Sequence, residues 1–278
     1  FVWVGVESQK EIYTKNKNVD FSILIMELRK RGISVLASSI LFLEQHDKKT
    51  IWEDVDFVTA LNPDYLQFSP LGPIPGTKLY NDYEKQGRIL RNIAYEAQHG
   101  QRKIWFHHDH FSRNESKDLL RLAFEIDYIR NGASMLRNIK TTFEGYLYCS
   151  NHPDGRVRKR SKTYKERLKM MRYFLAAATV FVQNRQSEIL LKEIKKLFQL
   201  HFGRMNIFTF ATSMAVVFFS VKEYLRCRIV GDVRVPGTSY RAFKNNGIHE
   251  HGGKQTKVSG VTGAESGVAY GWSEQTER

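Results

Sequence analysis

Residues 20–43 read Asp20-Phe-Ser-Ile-Leu-Ile-Met-Glu-Leu-Arg-Lys-Arg-Gly-Ile-Ser-Val-Leu-Ala-Ser-Ser-Ile-Leu-Phe-Leu43, an amphipathic segment followed by an apolar run. Apolar side chains at helical spacing follow Asp20, whose carboxylate can accept hydrogen bonds from the first free amides of a helix. Gly32 stands where a helix commonly ends. The pattern therefore predicts a helix that leads directly into a strand beginning near residue 33.

The same alternation flanks this stretch on both sides. Residues 2–6 form an earlier apolar run, and Thr50-Ile-Trp-Glu53 reads as a capping box that opens a second helix. Pro63 stops that helix before a third strand at residues 65–68. Strands thus recur about every 31 residues with a helix between them, which is typical of βαβ crossovers and a parallel sheet. Three such strands form a small sheet, and the chain opens inside a strand, so we expect further strands to precede residue 1.

Beyond residue 90 the pattern predicts helices. Ser112 or Asn114 can cap a helix that Gly132 closes, and further helices are predicted at residues 134–148, 158–183, 187–202 and 205–225. Residues 245–278 combine glycine, serine, threonine and charge without apolar periodicity, which predicts a disordered tail. The expected organisation is an α/β segment (1–90), a helical extension (91–244) and that tail.

The composition is ordinary except for its charge. The chain of 278 residues carries a net charge of +14, which favours polyanionic or acidic partners. The only two cysteines, Cys149 and Cys227, exclude a disulfide framework and favour a reducing compartment. We therefore expect a cytoplasmic protein, with peripheral membrane contact as the alternative.

Residues 156–172 contain nine lysines and arginines and a single acid, Glu166. Helical spacing places an apolar set on the opposite, buried side, and this set is Tyr164, Leu168, Met171 and Phe174. A basic face of this kind can hold nucleic-acid phosphates or anionic lipid headgroups. A solvated helix face is the preferred interpretation, and weak nucleic-acid or anionic membrane contact is the alternative.

Residues 205–221 are 17 consecutive uncharged residues between Arg204 and Lys222. This length is at the lower end of what spans a bilayer, and several hydroxyl and amide side chains dilute its apolar character. The prediction is a helix buried against the rest of the chain and no transmembrane helix. Peripheral membrane contact through this helix and the basic one is the alternative.

The run His107-His-Asp-His110 offers ligands that transition metals favour. Side chains of adjacent residues point in different directions, so we predict no metal site. The run precedes a predicted helix, where an aspartate and polar rings can cap the first turn. A position near a substrate entrance is a further interpretation.

Three strand ends carry polar groups in a defined order: Val4-Gly-Val-Glu-Ser8, then residues 32–43, then Asp64-Tyr-Leu-Gln-Phe-Ser69 with the turn Pro73-Ile-Pro-Gly-Thr-Lys-Leu-Tyr80. The carboxyl ends of parallel strands form the edge at which α/β proteins bind ligands. In this order and spacing the segments resemble the second half of the barrel of radical S-adenosylmethionine (SAM) enzymes. The closest resemblance is to the subfamily that carries an upstream cobalamin-binding domain. It is specific over residues 1–90 and looser over residues 91–245.

The resemblance implies a fold and a set of cofactor-binding residues. The fold is a partial (βα) radical-SAM-type barrel followed by an α-helical C-terminal extension. The pair Glu7 and Ser8 would lie near the amino and ribose groups of SAM. At the end of the next strand, Ser38 and Ser39 would lie by the ribose.

Gln67 or Phe68 would lie near the adenine. The intact enzyme would cleave SAM reductively at a 4Fe-4S cluster, or transfer a methyl group through cobalamin, on a small-molecule or lipid-like substrate. The family usually has glycines flanking the second strand motif, whereas this chain has Ala37 and Phe42. Phe42 either crowds a bound ligand or shows that the motif tolerates variation.

The chain contains no Cys-x-x-x-Cys-x-x-Cys motif. A cluster that leaves one iron open for SAM needs three thiolates, so this chain by itself is expected not to cleave SAM. We interpret it as a fragment of a radical SAM enzyme, inactive alone, that forms one wall of the SAM site and a helical substrate-side domain. The second hypothesis is a basic helical module that binds RNA or an anionic membrane surface.

Overall fold

A computed structural model describes residues 1–8, 16–91, 93 and 103–231 of the chain. These residues belong to one compact unit, Phe1–Asp232. The predicted tail at residues 245–278 lies outside the described residues.

The described N-terminal part is built on a three-stranded parallel sheet with the strand order β1-β2-β3. The strands are β1 (Val2–Glu7), β2 (Val35–Leu41) and β3 (Tyr65–Pro70), and the helices α1 (Phe21–Lys30) and α2 (Thr50–Ala60) separate them. Sequential parallel strands with intervening helices confirm the predicted α/β class and the predicted order of elements.

Helices form most of the remaining described chain. They are α3 (Lys78–Lys85), α4 (Arg113–Asn131), α5 (Ser134–Ser150), α6 (Gly155–Met171), a 3-10 turn (Arg172–Phe174), α7 (Leu175–Phe181), α8 (Arg185–Phe202) and α9 (Ile207–Val230). The continuous helix predicted at residues 158–183 is wrong, because the 3-10 turn divides it into α6 and α7. At that turn the Arg172 side chain donates a hydrogen bond to the Gly203 carbonyl, 2.6 Å away, a long-range contact that local periodicity does not reveal.

Most of the predicted helix ends are confirmed. The Asp20 side chain accepts a hydrogen bond from the Ile23 amide at the start of α1, and Ser112 forms a capping box with Glu115 at the start of α4. Gly132 ends α4 with a positive φ of 76°, a conformation that glycine adopts without steric cost.

The start of α2 differs from the prediction. Thr50 is the first residue of the helix, and its side chain does not cap it. Instead the Asp47 carboxylate accepts hydrogen bonds from the amides of Lys49 and Thr50, at 2.8 and 2.7 Å. The capping box predicted over Thr50–Glu53 is wrong, because Thr50 already lies inside the helix and the Asp47 carboxylate binds the amides at its start.

The two faces of the sheet have different surroundings. Side chains on one face are buried against α1, α2 and α4, and these are Val4, Val6, Val35, Ala37, Ser39, Leu41, Leu66 and Phe68. The alternate side chains, among them Trp3, Ser38 and Gln67, are half-buried or exposed. Within the described residues, helices therefore cover one face, and the other is hereafter called the open face.

Helices α5 and α6 pack closely against the sheet segment. A Cβ added to Gly145 would lie 2.6 Å from the Gly32 Cα and 2.7 Å from the Tyr164 ring. The Tyr164 hydroxyl donates a hydrogen bond to the Gly32 carbonyl at 3.0 Å. The absence of a side chain at Gly145 therefore permits the contact that joins these two parts of the chain.

A buried carboxylate makes a second link between the same parts. Asp64 is fully buried and accepts hydrogen bonds from the Val35 amide, at 2.9 Å, and from the Thr141 hydroxyl, at 2.6 Å. The Arg29 guanidinium lies 3.6 Å from the same carboxylate. One side chain thus ties together the start of β2, helix α1 and helix α5.

Helix α6 presents its basic side chains to solvent, as predicted. Tyr164 and Leu168 are buried beneath it, and Met171 is half-buried. Phe174, expected on the same buried side, is exposed. That expectation fails because α6 ends at Met171 and the 3-10 turn changes the direction of the following side chains.

Helix α9 departs furthest from the prediction. Among the described residues it contacts α7 and the 3-10 turn, and Ser213 is its one buried residue. Ile207 is 87% exposed and Phe208 is 70% exposed. The prediction that this helix is buried is wrong, because the seven-residue α7 is too short to cover apolar side chains distributed around a helix of 24 residues.

Candidate functional site

The six predicted residues are neighbours in the sheet, although only Glu7 ends a strand, since Ser38 and Ser39 lie in the middle of β2 and Gln67 and Phe68 in the middle of β3. The strand register pairs Glu7 with Ser39 and Ser39 with Phe68, forming one row. A second row pairs Gly5 with Ser38 and Ser38 with Gln67. The register therefore brings these positions close together, and Ser8 directly follows β1. The expectation that Ser38 and Ser39 end their strand is wrong, because β2 continues to Leu41.

The pleat divides Ser38, Ser39, Gln67 and Phe68 between the two faces, and Glu7, next to the register shift, is half-buried. Ser39 and Phe68 are 0% and 2% exposed and lie on the covered face. The Phe68 ring meets the ring of Phe124 in α4 edge-on, with centroids 5.3 Å apart. Ser8 is also buried. These three side chains are therefore not accessible to a ligand at the open face. Ser38 and Gln67 lie on the open face.

Ser39 also fixes the position of the end of β1. Its hydroxyl donates a hydrogen bond to the Glu7 carbonyl at 2.7 Å. The Asn16 side-chain amide donates to the carbonyls of Gly5 and Val6, at 3.2 and 2.9 Å. The strand end that carries Glu7 is thus held by side chains from two other segments.

The open face carries a short row of hydrogen-bonding groups. The Trp3 indole donates to the Ser38 hydroxyl oxygen at 2.8 Å, and the Gln67 amide nitrogen donates to the Ser69 hydroxyl oxygen at 3.4 Å. A serine hydroxyl that accepts one bond still has its own proton to donate. A glutamine amide that donates one bond retains an acceptor oxygen and a second proton. Of the two candidates for the adenine contact, Gln67 therefore has the suitable position and chemistry.

Two strand ends at this edge adopt left-handed backbone conformations. Glu7 has φ 66°, next to a register shift between Gly5 and Glu7, and Phe42 has φ 63° directly after β2. Non-glycine residues rarely adopt such values, and they concentrate at functional sites. The glycine that the resembled family has at the position of Phe42 suits this conformation.

Phe42 does not line the open face. Its side chain is fully buried and packs edge-on against Phe111, with ring centroids 5.2 Å apart. Of the two interpretations of Phe42, crowding of a ligand is therefore not what this structure shows. The backbone at Phe42 is left-handed, and its aromatic side chain is accommodated in the core.

Two buried histidines hold the segment that follows Phe42. The Leu43 amide donates to His46 Nδ1 at 3.2 Å, and the Leu43 carbonyl lies 3.0 Å from His108 Nε2. His46 Nε2 lies 2.9 Å from the Asp54 carboxylate, and the His110 amide donates to His108 Nδ1. Burial lowers the pKa of His108, which favours the neutral ring that this pattern requires. No local motif marks His46 in the sequence, so its role emerges only from the fold.

The run from His107 to His110 has a different role from the predicted helix cap. Ser112 and Glu115 cap α4, and His108 is engaged with the backbone as described above. In the described ranges, no three His, Cys, Asp or Glu side chains are grouped as metal ligands. His107 and His110 line a shallow cleft of about 480 Å³ beside Leu90.

An arginine anchors the same loop. The Arg88 Nε donates to the His107 carbonyl at 2.9 Å, and the guanidinium lies over the Tyr83 ring, 4.4 Å from its centroid. Arg88 also lies 3.5 Å from the Glu44 carboxylate. These contacts connect the loop after β2 with the segment that follows α3.

The proline-glycine turn after β3 positions helix α3. The Thr77 hydroxyl oxygen accepts a hydrogen bond from the Tyr80 amide, so Thr77 caps the helix. A Cβ on Gly72 would lie 2.8 Å from the Trp105 ring, whereas one on Gly76 would meet no atom within 4 Å. The backbone at Gly72 therefore lies close to the Trp105 indole ring.

The cysteines of the chain do not fit an iron–sulfur cluster. Cys149 is buried in α5, and Cys227 lies in α9. Two thiolates on these helices do not supply the three that a SAM-binding cluster needs.

The described residues define a mixed α/β protein with a small three-stranded parallel sheet and many helices. Comparison with protein-family models finds no match to the chain, and comparison with curated proteins also finds none.

Proposed function

We propose that the chain is part of a radical SAM enzyme and that the carboxyl edge of its open face forms one wall of the SAM site. The observation that carries this proposal is the register that sets Ser38 beside Gln67 on the open face, next to the end of β1 at Glu7. The resemblance of the three strand-end motifs supplies the identity of the ligand.

Each of the three residues offers chemistry that suits a different part of SAM. The Gln67 amide can accept from and donate to an adenine edge, and the Ser38 hydroxyl can donate to a ribose oxygen. A carboxylate such as Glu7 suits an ammonium group. When bound, SAM would supply a methyl group or a deoxyadenosyl group to the reaction. Ser39 and Ser8 are positioning residues in this proposal, because they are buried behind the edge.

The cluster and the reductive step are assigned to a part of the enzyme that this chain does not contain. With two cysteines in 278 residues, the chain alone binds SAM as a partial site. We expect weak binding, with a dissociation constant on the order of 1 mM, which corresponds to a binding free energy of about −4 kcal/mol.

Equilibrium dialysis of radiolabelled SAM against the whole chain tests the proposal. Gln67→Leu removes the amide from a partly exposed position and is expected to weaken binding about tenfold, the effect of losing one or two hydrogen bonds. Gln199→Leu, on the exposed surface of α8, is the matched control and is expected to leave binding unchanged. Absence of SAM binding at about ten times the expected dissociation constant, or equal effects of the two variants, would overturn the proposal.

A further inference from the structure

We propose that α7 and α9, together with the basic face of α6, form a docking surface for an anionic phospholipid bilayer. This inference rests on a different part of the molecule from the SAM proposal and does not depend on it. Among the helices that the structure describes, α9 is the one long and apolar enough to cross a membrane. Of its most apolar stretch of 18 residues, 6% is buried.

The exposed apolar surface of α9 is wide, and α9 packs against α7. On α9 the exposed apolar residues are Ile207, Phe208, Phe210, Met214, Phe218, Phe219, Leu225, Ile229 and Val230. At 3.6 residues per turn these positions extend over more than half of the helix circumference. Val180 of α7 and Phe174 of the 3-10 turn are also exposed, and both of these elements contact α9. Surfaces of this extent on soluble proteins mark membrane or protein contacts.

Several polar side chains of α9 are satisfied within the helix itself. The Thr212 hydroxyl donates to the Phe208 carbonyl at 2.9 Å, and the Ser213 hydroxyl donates to the Thr209 carbonyl at 2.8 Å. The Thr209 hydroxyl donates to the Asn206 side chain, which also accepts from the Thr209 amide. In a hydrocarbon phase each unsatisfied polar group costs several kcal/mol, so internal bonds of this kind permit burial in lipid. The hydroxyls that dilute the hydropathy therefore do not oppose insertion.

Charge is placed at the ends of the apolar stretch. Arg204 precedes the 17 uncharged residues, and Lys222 follows them. The Arg226 guanidinium is paired with Glu223, and Arg228 donates to the Tyr224 hydroxyl at 2.9 Å. Basic and tyrosine side chains suit the headgroup region at the boundary of a bilayer.

Helix α6 provides the complementary charge for an anionic surface. Eight of its basic side chains are exposed: Arg156, Arg158, Lys159, Arg160, Lys162, Lys165, Arg167 and Lys169. The Arg172 side chain, directly after α6, is bonded to the Gly203 carbonyl just before α9. This bond links the end of the basic helix to the segment that leads into the apolar helix. Each basic side chain near an anionic membrane contributes about 1 kcal/mol.

A bilayer suits this surface better than the other occupants. A second protein helix covers a stripe of roughly 100°, which is narrower than the exposed apolar arc of α9. An RNA partner would use the charges of α6 and gain little from exposed phenylalanines. The combination of a wide apolar arc with an adjacent basic helix fits a membrane that is both apolar and anionic.

Vesicle co-sedimentation of the whole chain tests this inference. Vesicles of phosphatidylcholine with about one third phosphatidylglycerol are compared with phosphatidylcholine alone, at low and at physiological salt. We expect stronger binding to the anionic vesicles. The double variant Phe208→Gln with Phe219→Gln is expected to weaken binding to both by at least about tenfold, because each phenylalanine loses its burial in lipid. Both side chains are exposed, so the fold is expected to persist.

Two control variants separate the surface from general effects. Ile129→Gln with Leu200→Gln removes equally exposed apolar side chains from α4 and α8 and is expected to leave vesicle binding unchanged. Lys162→Gln with Lys165→Gln is expected to reduce the preference for anionic vesicles, while binding to neutral ones stays the same.

Three results would overturn the inference. The first is equal loss of vesicle binding in the phenylalanine variant and its apolar control. The second is binding of RNA that depends on Lys162 and Lys165, with no binding to either vesicle. The third is a dimer in sedimentation velocity that the phenylalanine variant dissociates, again without vesicle binding, because the apolar arc would then be covered by a second copy of the chain.

Discussion

Ser38 of β2 and Gln67 of β3 occupy paired positions of the parallel sheet, and both side chains lie on its open face. Their neighbours Ser39 and Phe68, one residue further along each strand, are buried on the other face. A shift of one residue in a strand exchanges its two faces. The register of β2 and β3 therefore decides which residues of the edge can meet a ligand.

The left-handed backbone at Phe42 predicts an unusual order of stability among its variants. Glycine normally destabilises a protein relative to alanine by about 0.5–1 kcal/mol. At φ 63° alanine is the strained residue, by about 1 kcal/mol, so we expect Phe42→Gly to be at least as stable as Phe42→Ala. Both variants lose about 3–5 kcal/mol of packing against Phe111 and its neighbours. Urea denaturation measures this order, and a clearly more stable alanine variant would contradict the assigned backbone.

Gly145→Ala is expected to separate α5 from the sheet segment. The added methyl group would lie 2.6 Å from the Gly32 Cα, and neither backbone can move without disturbing its own element. We expect a fall in the thermal unfolding midpoint of many degrees, or failure to fold. Gly155→Ala is the matched control, since a Cβ there is 3.5 Å from the nearest atom, at the flexible end of Arg158. Similar midpoints for the two variants would exclude the close contact of Gly32 with Gly145.

Asp64→Asn is expected to lower the free energy of unfolding by about 3–5 kcal/mol, because it leaves the mostly buried Arg29 without its counter-charge. The amide keeps an acceptor oxygen for the Val35 amide or the Thr141 hydroxyl. Asp56→Asn breaks an exposed ion pair with Arg130, and its expected cost is below about 1 kcal/mol. Chemical denaturation of both variants measures the difference, and equal costs would refute the role given to Asp64.

The cap of α2 predicts a pH dependence. Hydrogen bonds from the amides of Thr50 and Lys49 lower the pKa of Asp47 from 3.8 to about 2. Because the pKa is lower in the folded state, this carboxylate stabilises the fold above pH 3.8, and the contribution is lost as the pH falls towards 2.

Asp47→Asn keeps the acceptor oxygen and removes the charge. Its stability is therefore expected to fall less than that of the wild type between pH 4 and pH 2. Urea midpoints measured across this range test the expectation. If the urea midpoints of the two proteins fell equally between pH 4 and pH 2, Asp47 would not be the source of the effect.

Local patterns predicted the order of elements because helices and strands differ in apolar period and because caps are short-range contacts. Asp20 and Ser112 are examples in which the capping residue adjoins the helix it caps. Contacts between distant segments leave no such local pattern in the sequence. The bonds of Asp64 to Val35 and Thr141, and the contact of His108 with Leu43, depend on segments brought together by folding.

The candidate site shows the same division. The resemblance named Gln67 and Phe68 as alternatives, and only the structure shows that Phe68 is buried on the covered face whereas Gln67 lies on the open face. Helix α9 was predicted to be buried because its uncharged stretch is only 17 residues long. Its exposure follows from the number of neighbouring helices, which its own sequence does not encode.

Amide hydrogen exchange with and without SAM tests the central claim most directly, because it reports where on the whole chain the ligand binds. The account predicts slower exchange in the presence of SAM at residues 5–8, 36–41 and 66–70, with α8 unchanged. Protection confined to the helices after residue 103, with none at the strand ends, would contradict the assignment of this edge as the SAM wall.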